Sequence, residues 1–214
     1  MIYIILKRII DIFGSLLLLP FFLLIFIFAS IAIKIDDRGP IFYKGERIGK
    51  NSKVFKMYKF RTMKVNSDLI VNKDGSTFNS ENDQRVTRVG KFLRETSIDE
   101  IPQILNVLVG NMSFIGPRAS LKEALGTFLD DEKDKMKVKP GITGYTQAYY
   151  RNGITNREKR IKDSWYANNF GFLLDVKIIF KTIFTVFNKK NLYTNKVDNS
   201  KGCEKSSEKN IIHK

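Results

Sequence analysis

The longest uncharged stretch of the chain is the feature that most constrains its fold. Ile12 to Ile33 are 22 residues without a charge, and most of them are apolar. As a helix this segment would measure about 33 Å, enough to cross a bilayer core of roughly 30 Å. A small-residue cleavage site followed by a polar mature start is not evident, which argues against a secretory signal peptide. The simplest interpretation is a single transmembrane helix.

Two features of the same segment allow a different topology. Lys7 and Arg8 precede the run and Lys34 follows it, so the positive charges assign no direction across a membrane. Pro20 lies inside the run, where it removes its own backbone donor and clashes with the carbonyl of Leu16. A helix bent at this proline could enter one leaflet and return to the same side. The sequence permits this re-entrant hairpin without requiring it.

The balance of charged residues limits the partners and the chemistry. Lysine and arginine outnumber aspartate and glutamate 37 to 22, which gives a net charge of +15. This surplus predicts an anionic partner: nucleic acid, an anionic membrane face or a phosphorylated substrate. The single cysteine, Cys203, and the single histidine, His213, lie near the end of the sequence. An internal disulfide framework is thereby excluded, and histidine catalysis or a Cys/His zinc site is implausible.

Two strand-like runs follow the hydrophobic segment. IFYK (41–44) and VFKMYKFRTM (54–63) flank a turn-rich connection and predict a β-hairpin. Alternation along the second run places Lys59 and Arg61 on one face with two methionines. Two cations on a partly apolar face suit a phosphate site, and a solvated edge strand protected by charge is an equally good interpretation. The polar residues 65–84 predict a surface loop.

The stretch TSIDEIPQILNVLVG combines two neighbouring acids with helix signals. A helix is predicted at about 87–94, and a second at about 97–109, ended by Gly110. Ser97 and Glu100 have the spacing of a capping box, in which both side chains satisfy backbone donors of the first turn. On this interpretation Glu100 serves only to start a helix.

Capping leaves Asp99, the other acid, without a role. A first helical turn offers free backbone donors and a positive dipole end, which bind phosphate and keep a carboxylate ionised. Arg88, Arg94 and Arg118 flank the pair in sequence. An ionised aspartate among arginines is suited to attack on phosphorus, provided that the cations or a metal offset the repulsion between anions.

The remaining segments give weaker signals. VKPGITGYTQAYYRN (138–152) is rich in turn residues, includes Arg151 and predicts a binding loop. Residues 172–187 have apolar side chains at near-helical spacing and predict a helix that packs in a core or lies in a membrane interface. From Asn188 onward the chain is polar and lysine-rich, and we expect it to be disordered.

Together these segments resemble the monotopic phosphoglycosyl transferases, the bacterial sugar transferases that start the assembly of surface glycans. The similarity extends from Lys7 to about Thr185, and its most specific part is RVTRVGKFLRETSIDEIPQILNVLVGNMSFIGPR (85–118). Shorter matching pieces are KRIIDI (7–12), YKFRTM (58–63), KPGITGYTQ (139–147) and FLLDVKI (172–178).

The resemblance implies a two-step reaction. An aspartate attacks the phosphorus nearest the sugar of a nucleotide sugar, with UDP the expected nucleotide, and UMP leaves; polyprenyl (undecaprenyl) phosphate then takes the phosphosugar. Asp99 occupies the position of this nucleophile, and Glu100 that of its partner carboxylate, for proton handling or metal placement. Family members use Mg²⁺ to neutralise the diphosphate, and Asp99 would be close enough to ligate it. Further candidates for contacts with substrate and phosphate, from the residue pattern or the resemblance, are Lys59, Arg61, Arg88, Arg94, Arg118, Arg151 and Asp175.

The resemblance also implies the architecture, an α+β fold. Residues 1–36 would form a re-entrant membrane helix hairpin, residues 37–188 a small mixed α/β catalytic domain with interfacial amphipathic helices, and residues 189–214 a polar tail. The domain would lie on the cytoplasmic face of the bacterial inner membrane, against its anionic leaflet. The expected partners are the nucleotide sugar and polyprenyl phosphate, without nucleic acid; a homodimer is left open.

Several positions depart from the family pattern. Leu19-Pro20 stands about one turn before the usual Ser-Pro break, and Ala119 replaces the second proline usual after Gly-Pro-Arg. Asn111 stands where aspartate is common, and Tyr149-Tyr150 replace a smaller pair. None of these changes removes a residue that the mechanism needs.

Two other functions compete with this interpretation. A membrane-tethered nucleic-acid-binding protein could use KVFKMYKFRTMK as a basic, aromatic surface, but the positive charge is spread along the chain and no established nucleic-acid motif is evident. A glycosidase needs two carboxyl groups about 5–9.5 Å apart on either side of a bond. Adjacent residues in one helical turn are poorly placed for that.

Overall fold

The computed structural model describes residues 2–68, 70, 80, 82–151 and 153–187. The predicted tail at 189–214 lies outside these residues, as does much of the predicted loop at 65–84. Within the described residues, helices and short strands alternate along the chain. The predicted mixed α/β class is therefore confirmed.

The predicted β-hairpin is present and forms most of the larger sheet. Strands β1 (Phe42–Ile48) and β2 (Val54–Phe60) pair antiparallel, with Tyr43 opposite Lys59, and a 3₁₀ turn at Lys50–Ser52 connects them. The short strand β4 (Ser120–Leu121) pairs with the other edge of β1. A separate parallel pair consists of β3 (Ser113–Ile115) and β5 (Gly141–Thr143).

Five helices follow the hairpin among the described residues. They are α2 (Arg88–Glu95), α3 (Gln103–Val109), α4 (Tyr145–Tyr149), α5 (Asn156–Asn169) and α6 (Phe172–Phe187), with 3₁₀ segments at Ile98–Glu100, Lys122–Thr127 and Asp130–Lys137. The helix predicted at 87–94 is confirmed as α2, which begins after Thr87 because the Thr87 hydroxyl accepts from the Gly90 amide at 3.0 Å. The predicted stop at Gly110 is also confirmed, since this glycine has a φ of 101° in the left-handed region.

The hydrophobic segment forms a single long helix, α1 (Ile2–Asp37), which includes Pro20. Most of its apolar side chains point away from the rest of the chain; Leu17 is 73% exposed and Phe21 63%. Helix α1 is long and apolar enough to cross a membrane, although length and composition alone are weak evidence for an anchor. Because α1 is not divided into two helices, the predicted re-entrant membrane hairpin is not confirmed.

Both ends of α1 contact the same domain. Near the start, Lys7 pairs with Asp175 of α6, and the Arg8 guanidinium donates to two main-chain carbonyls at the end of α3, at 2.6 and 2.8 Å. Near the end, Asp37 pairs with Arg61, just after β2. A straight helix of this length would measure about 54 Å. The domain is therefore attached along α1, rather than at one end of it.

The middle and end of α1 also contribute to the main hydrophobic core. Buried side chains of α1 pack with buried side chains of β2, α2 and α3, and each such residue contributes roughly 1.5–3 kcal/mol when fully buried. The buried members of this core are Phe22, Ala29, Ile33, Phe60, Leu93 and Ile104. Helix α1 and the elements that follow it thus share one core.

The predicted helix at 172–187 is confirmed as α6, and it has two different faces. Ile178 is completely buried and Asp175 is buried, whereas Leu173, Phe180 and Phe184 are exposed. The three exposed residues are spaced by seven and four positions and so lie along one stripe of the helix. Together with α1, this stripe gives the molecule a large exposed apolar surface, of a kind that marks membrane or protein contacts.

Candidate active site

The acidic pair lies in the 3₁₀ turn Ile98–Glu100, between α2 and α3. Ser97 precedes the turn with a φ of 59°, in the left-handed region, and its side chain makes no capping hydrogen bond. The predicted capping box is therefore wrong, and the helix predicted at 97–109 begins only at Gln103. The tight turn leaves both carboxylates free to meet side chains from other elements.

Lys59, at the end of β2, joins the two carboxylates. Its ammonium nitrogen Nζ lies 2.6 Å from Oε1 of Glu100 and 3.7 Å from Oδ2 of Asp99. Asp99 as a whole residue is only 8% exposed, and the Lys59 side chain is also largely buried. The predicted grouping of Lys59 with the acidic pair is thus found in the structure, with the ammonium between two anions that would otherwise repel each other.

Arg118, on the loop between β3 and β4, also interacts with the pair. Its Nη1 atom lies 3.8 Å from Oε1 of Glu100, and its side chain is 56% exposed. One part of the guanidinium therefore interacts with Glu100 while the rest remains accessible. A planar guanidinium in this position can bind a phosphate with two parallel hydrogen bonds.

Close contacts between glycine backbones place the loop that carries Arg118. A Cβ on Gly141 would lie 2.1 Å from the amide nitrogen of Gly116, and one on Gly144 would lie 2.0 Å from the Gly116 carbonyl oxygen. Only glycine allows this approach. The amide of Gly116 donates to the Thr143 carbonyl at 2.9 Å, continuing the β3–β5 ladder. The segment 138–152, predicted as a binding loop, instead contains strand β5 and helix α4, and it supports the Arg118 loop.

A buried ion pair holds the same loop from another direction. Oδ2 of Asp163, on α5, accepts from the Arg118 amide at 3.2 Å and from the Lys135 ammonium at 3.3 Å. Lys135 also donates to the Arg118 carbonyl at 3.0 Å. The side chains of Lys135 and Asp163 are each less than one-tenth exposed. This pair could not be identified from the sequence, because Asp163 and Lys135 lie in charged segments typical of solvent-exposed surfaces.

Two more of the predicted cations act at the pair. Arg94, at the end of α2, lowers the pKa of Asp99, and its Nε atom donates to the Thr62 hydroxyl at 2.9 Å. Arg151 lowers the pKa of Glu100, and it has a φ of 49° in the left-handed region. The structure therefore brings Lys59, Arg94, Arg118 and Arg151 into electrostatic contact with the acidic pair.

Three other predicted residues do not group with the pair. Arg61 is buried against the end of α1, where it pairs with Asp37 and donates to the Pro40 carbonyl at 2.6 Å. Arg88 is exposed and borders a cavity of about 190 Å³ beside α2. Asp175 is buried and accepts hydrogen bonds that connect α1, α5 and α6, from Tyr3, Lys7 and Tyr166. Their predicted contacts with substrate stay predictions, and their observed contacts are structural.

The two neighbouring acids have opposite pKa shifts. Burial raises the pKa of Asp99, and the charge of Glu100 adds to this, more than offsetting Lys59, Arg94 and Arg118. Burial also raises the pKa of Glu100, but Lys59, Arg118 and Arg151 outweigh it and bring the value to about 2. At neutral pH Glu100 is therefore firmly ionised, and Asp99 is the carboxyl that protonates first as the pH falls.

The donor set at the pair suits a partly protein-bound magnesium ion. The described residues contain no group of three or more His, Cys, Asp or Glu side chains that could hold a metal on their own. Mg²⁺ in phosphoryl-transfer sites is usually held by one or two carboxylates together with substrate phosphates. Asp99 and Glu100 supply that number of carboxylates, so the residues fit a metal that arrives with a diphosphate.

Comparisons with known proteins identify similar chains over nearly the whole sequence. The family model described as bacterial sugar transferase matches residues 2–189. The UDP-N-acetylgalactosamine-undecaprenyl-phosphate N-acetylgalactosaminephosphotransferase of Aeromonas hydrophila is 38% identical over 86% of this chain and 44% of its own length. The UDP-glucose:undecaprenyl-phosphate glucose-1-phosphate transferase of Klebsiella pneumoniae is 40% identical over 87% of this chain and 41% of its own length.

A shorter relative matches almost end to end. The exopolysaccharide production protein PSS of Rhizobium leguminosarum bv. phaseoli is 38% identical over 84% of this chain and 94% of its own length. By contrast, the chain spans less than half the length of the Aeromonas and Klebsiella enzymes. These relatives give no support to the nucleic-acid-binding alternative.

Proposed function

Since the chain belongs to the bacterial sugar transferase family, we propose that it transfers a sugar 1-phosphate from a UDP-sugar to undecaprenyl phosphate and so starts the assembly of a surface glycan. The names of the Aeromonas and Klebsiella relatives describe this type of transfer for those proteins. The observation that carries the proposal for this chain is the buried Asp99 beside Glu100, with Lys59 between them.

In the first step the Asp99 carboxylate attacks the phosphorus nearest the sugar. A bond forms between an Asp99 Oδ atom and this phosphorus, and the bond to the oxygen that bridges the two phosphates breaks. UMP leaves with that oxygen and its electron pair, and the sugar phosphate stays on Asp99 as an acyl phosphate. Desolvation favours the attack, because a buried carboxylate has lost the water that would make it a weak nucleophile.

In the second step the phosphate of undecaprenyl phosphate attacks the same phosphorus. The bond between phosphorus and Asp99 breaks, the carboxylate is restored and the lipid carries the sugar as a diphosphate. Both steps bring anions together, so positive charge must be in place before the reaction. Lys59, Arg118, Arg94 and Arg151, which already interact with the acidic pair, would supply it.

Glu100 is best suited to positioning positive charge, from Lys59 and Mg²⁺, rather than to transferring a proton. A carboxyl with a pKa of about 2 is a weak base at neutral pH and has no proton to donate. Its hydrogen bond to Lys59 instead directs the ammonium toward the pair. Asp99 and Glu100 would also hold Mg²⁺ together with the donor diphosphate. When bound, the ion would neutralise developing charge on the phosphate oxygens and on the leaving UMP.

Contacts of α1 support a monotopic location on the cytoplasmic face of the inner membrane. A span attached at one end would leave the other end on the far side of the bilayer, yet Lys7 and Asp37, near opposite ends of α1, both pair with residues of the domain. The exposed apolar side chains of α1 and α6 would enter one leaflet, and the net charge of +15 favours its anionic surface. The reacting phosphate of the lipid lies at this surface.

Release of UMP tests the proposal. Purified protein is incubated with Mg²⁺, undecaprenyl phosphate and each member of a panel of UDP-sugars. We expect one or a few sugars to give UMP and lipid-linked sugar, and Asp99→Asn to lower turnover at least a thousandfold, equivalent to about 4 kcal/mol of barrier. Asp130→Asn changes an exposed aspartate and should turn over normally. Normal turnover by Asp99→Asn, or product formation without UMP, would contradict the proposal.

A further inference from the structure

Arg47 is a partly buried cation that the mechanism above does not use. It lies on β1, opposite Phe55 of β2 and opposite Leu121 of β4, and so on the central strand of the sheet. Its Nη1 atom is buried and has no hydrogen-bond partner among the described residues. Arginine stays charged in proteins and presents five donors. A buried guanidinium nitrogen without an acceptor is unfavourable, unless a ligand supplies the acceptor.

The sheet register places Arg47 on the same face as the catalytic lysine. Tyr43 is opposite Lys59, and side chains of directly opposed residues share a face. Arg47 follows Tyr43 by four positions, and strand side chains alternate, so it also lies on this face. Gly45 lies between them, and the Tyr43 ring covers it: a Cβ on Gly45 would lie 2.7 Å from the ring. Arg47 is thus on the reaction face, farther along the strand than Lys59.

Electrostatic interactions show which site groups are its neighbours. Burial lowers the pKa of Arg47, and Arg118 lowers it further, whereas Tyr43, Glu123 and Glu100 raise it. Asp99 is most affected by Lys59, Glu100, Arg94 and Arg118. Arg118 therefore interacts electrostatically with both Arg47 and Asp99. The sheet register agrees, because Arg47 is opposite Leu121, three residues after Arg118.

The geometry points to Arg47 as the residue that binds the phosphate leaving with the nucleoside. This inference rests on the proposed function. In a displacement at phosphorus the leaving oxygen is opposite the attacking one, so the second phosphate lies on the side of the reacting phosphorus that faces away from Asp99. Lys59 and Arg118 already interact with Glu100, whereas Arg47 has no acidic partner within ion-pair distance among the described residues. Arg47 is a substrate-binding residue of the first step only.

The position implies a difference between the two half-reactions. UMP, with the phosphate bound to Arg47, leaves before the lipid phosphate reacts. Arg47→Met should therefore weaken UMP binding and raise the donor concentration needed for adduct formation, roughly 10- to 100-fold each, as expected for loss of a charged donor to phosphate. Transfer from the preformed adduct to undecaprenyl phosphate should keep its rate. Lys44→Met, an exposed cation on the other face of the same strand, is the matched control.

Three measurements test this on the full-length protein in detergent. Calorimetric titration with UMP needs no turnover and so tests Arg47 even where the proposed transfer fails. Thermal unfolding of the free protein should give an equal or higher midpoint for Arg47→Met, because a buried guanidinium nitrogen without a partner is removed, whereas a structural role for Arg47 predicts a lower one. Rapid mixing separates adduct formation from transfer.

Two results would overturn the inference. One is UMP affinity in Arg47→Met equal to that of the Lys44→Met control. The other is a transfer step slowed as much as adduct formation, which would assign Arg47 to the lipid phosphate or to the phosphate that stays on the enzyme. Absence of an adduct in the unmodified protein that binds UMP would instead count against the proposed function.

Discussion

Asp99 and Glu100 are adjacent in sequence but have different surroundings. Asp99 is the more buried residue, and its carboxylate lies 3.7 Å from the nearest ammonium, whereas Glu100 has Lys59 at 2.6 Å and Arg118 at 3.8 Å. Cations therefore stabilise the charge of Glu100 more than that of Asp99. The charge of Asp99 is therefore less neutralised than that of Glu100. Such a carboxylate is suited to attack on an electrophilic phosphorus.

The different surroundings predict a pH dependence. Asp99 must be ionised to attack, and its pKa is raised, so the acidic limb of the kcat/KM profile should lie above the value of about 3.9 for an ordinary aspartate. Glu100 raises the pKa of Asp99 and also holds Lys59. Glu100→Gln removes one charge that disfavours ionisation and releases a cation that favours it. The limb should therefore move to lower pH, even though the maximal rate falls.

Initial rates measured across pH, normalised for each variant, give this comparison. Glu46→Gln, which alters an exposed glutamate on β1, should leave the limb in place. A limb that moves to higher pH in Glu100→Gln would show that Glu100 lowers the pKa of Asp99 and would contradict the electrostatic account.

At the scale of elements, the sequence correctly predicted the helix ends that local signals determine. It missed the helix start that depends on distant contacts. Thr87 before α2 and Gly110 after α3 act within their own turns, so their patterns identified the helix ends correctly. The capping box at Ser97 failed because the residue adopts left-handed backbone geometry, which lets the pair face Lys59 from β2. That contact is 41 residues away in sequence, and spacing alone cannot predict it.

The loop of Arg118 shows the same limit. Ala119 stands where a second proline is usual, and that proline would restrict the backbone of the loop. In the structure, Gly116 packs against the backbone of Gly141, and Asp163 and Lys135 bind the peptide groups of Arg118. These tertiary contacts restrain the loop without the proline.

Helix α1 gives an element-scale prediction about topology. Ile2 and Ile35 are near its two ends and are 84% and 79% exposed. Cysteines placed singly at these positions, in a Cys203→Ser background, should both react with a thiol reagent from the cytoplasmic side of inside-out membrane vesicles. This follows because both ends of α1 contact the same domain. Labelling from opposite sides would contradict the re-entrant arrangement.

Over the whole molecule, charge and apolar surface suit the proposed reaction between a soluble and a lipid substrate. Composition revealed the net charge of +15 and the apolar run, and these predicted an anionic partner and a membrane-embedded helix. It could not reveal that α1 shares a core with β2, α2 and α3. That packing joins the apolar surface to the acidic pair and would keep the site at a fixed depth relative to the bilayer.

The central claim is that Asp99 becomes bonded to phosphorus in each cycle, and mass spectrometry tests it most directly. The purified protein is incubated with Mg²⁺ and the UDP-sugar that gives UMP, without lipid, then quenched and digested. We predict a mass increase of one sugar phosphate on the peptide that contains Asp99, present in Asp130→Asn, absent in Asp99→Asn and lost when undecaprenyl phosphate is added. Unmodified Asp99 throughout, in protein that still forms the lipid-linked sugar, would contradict the account.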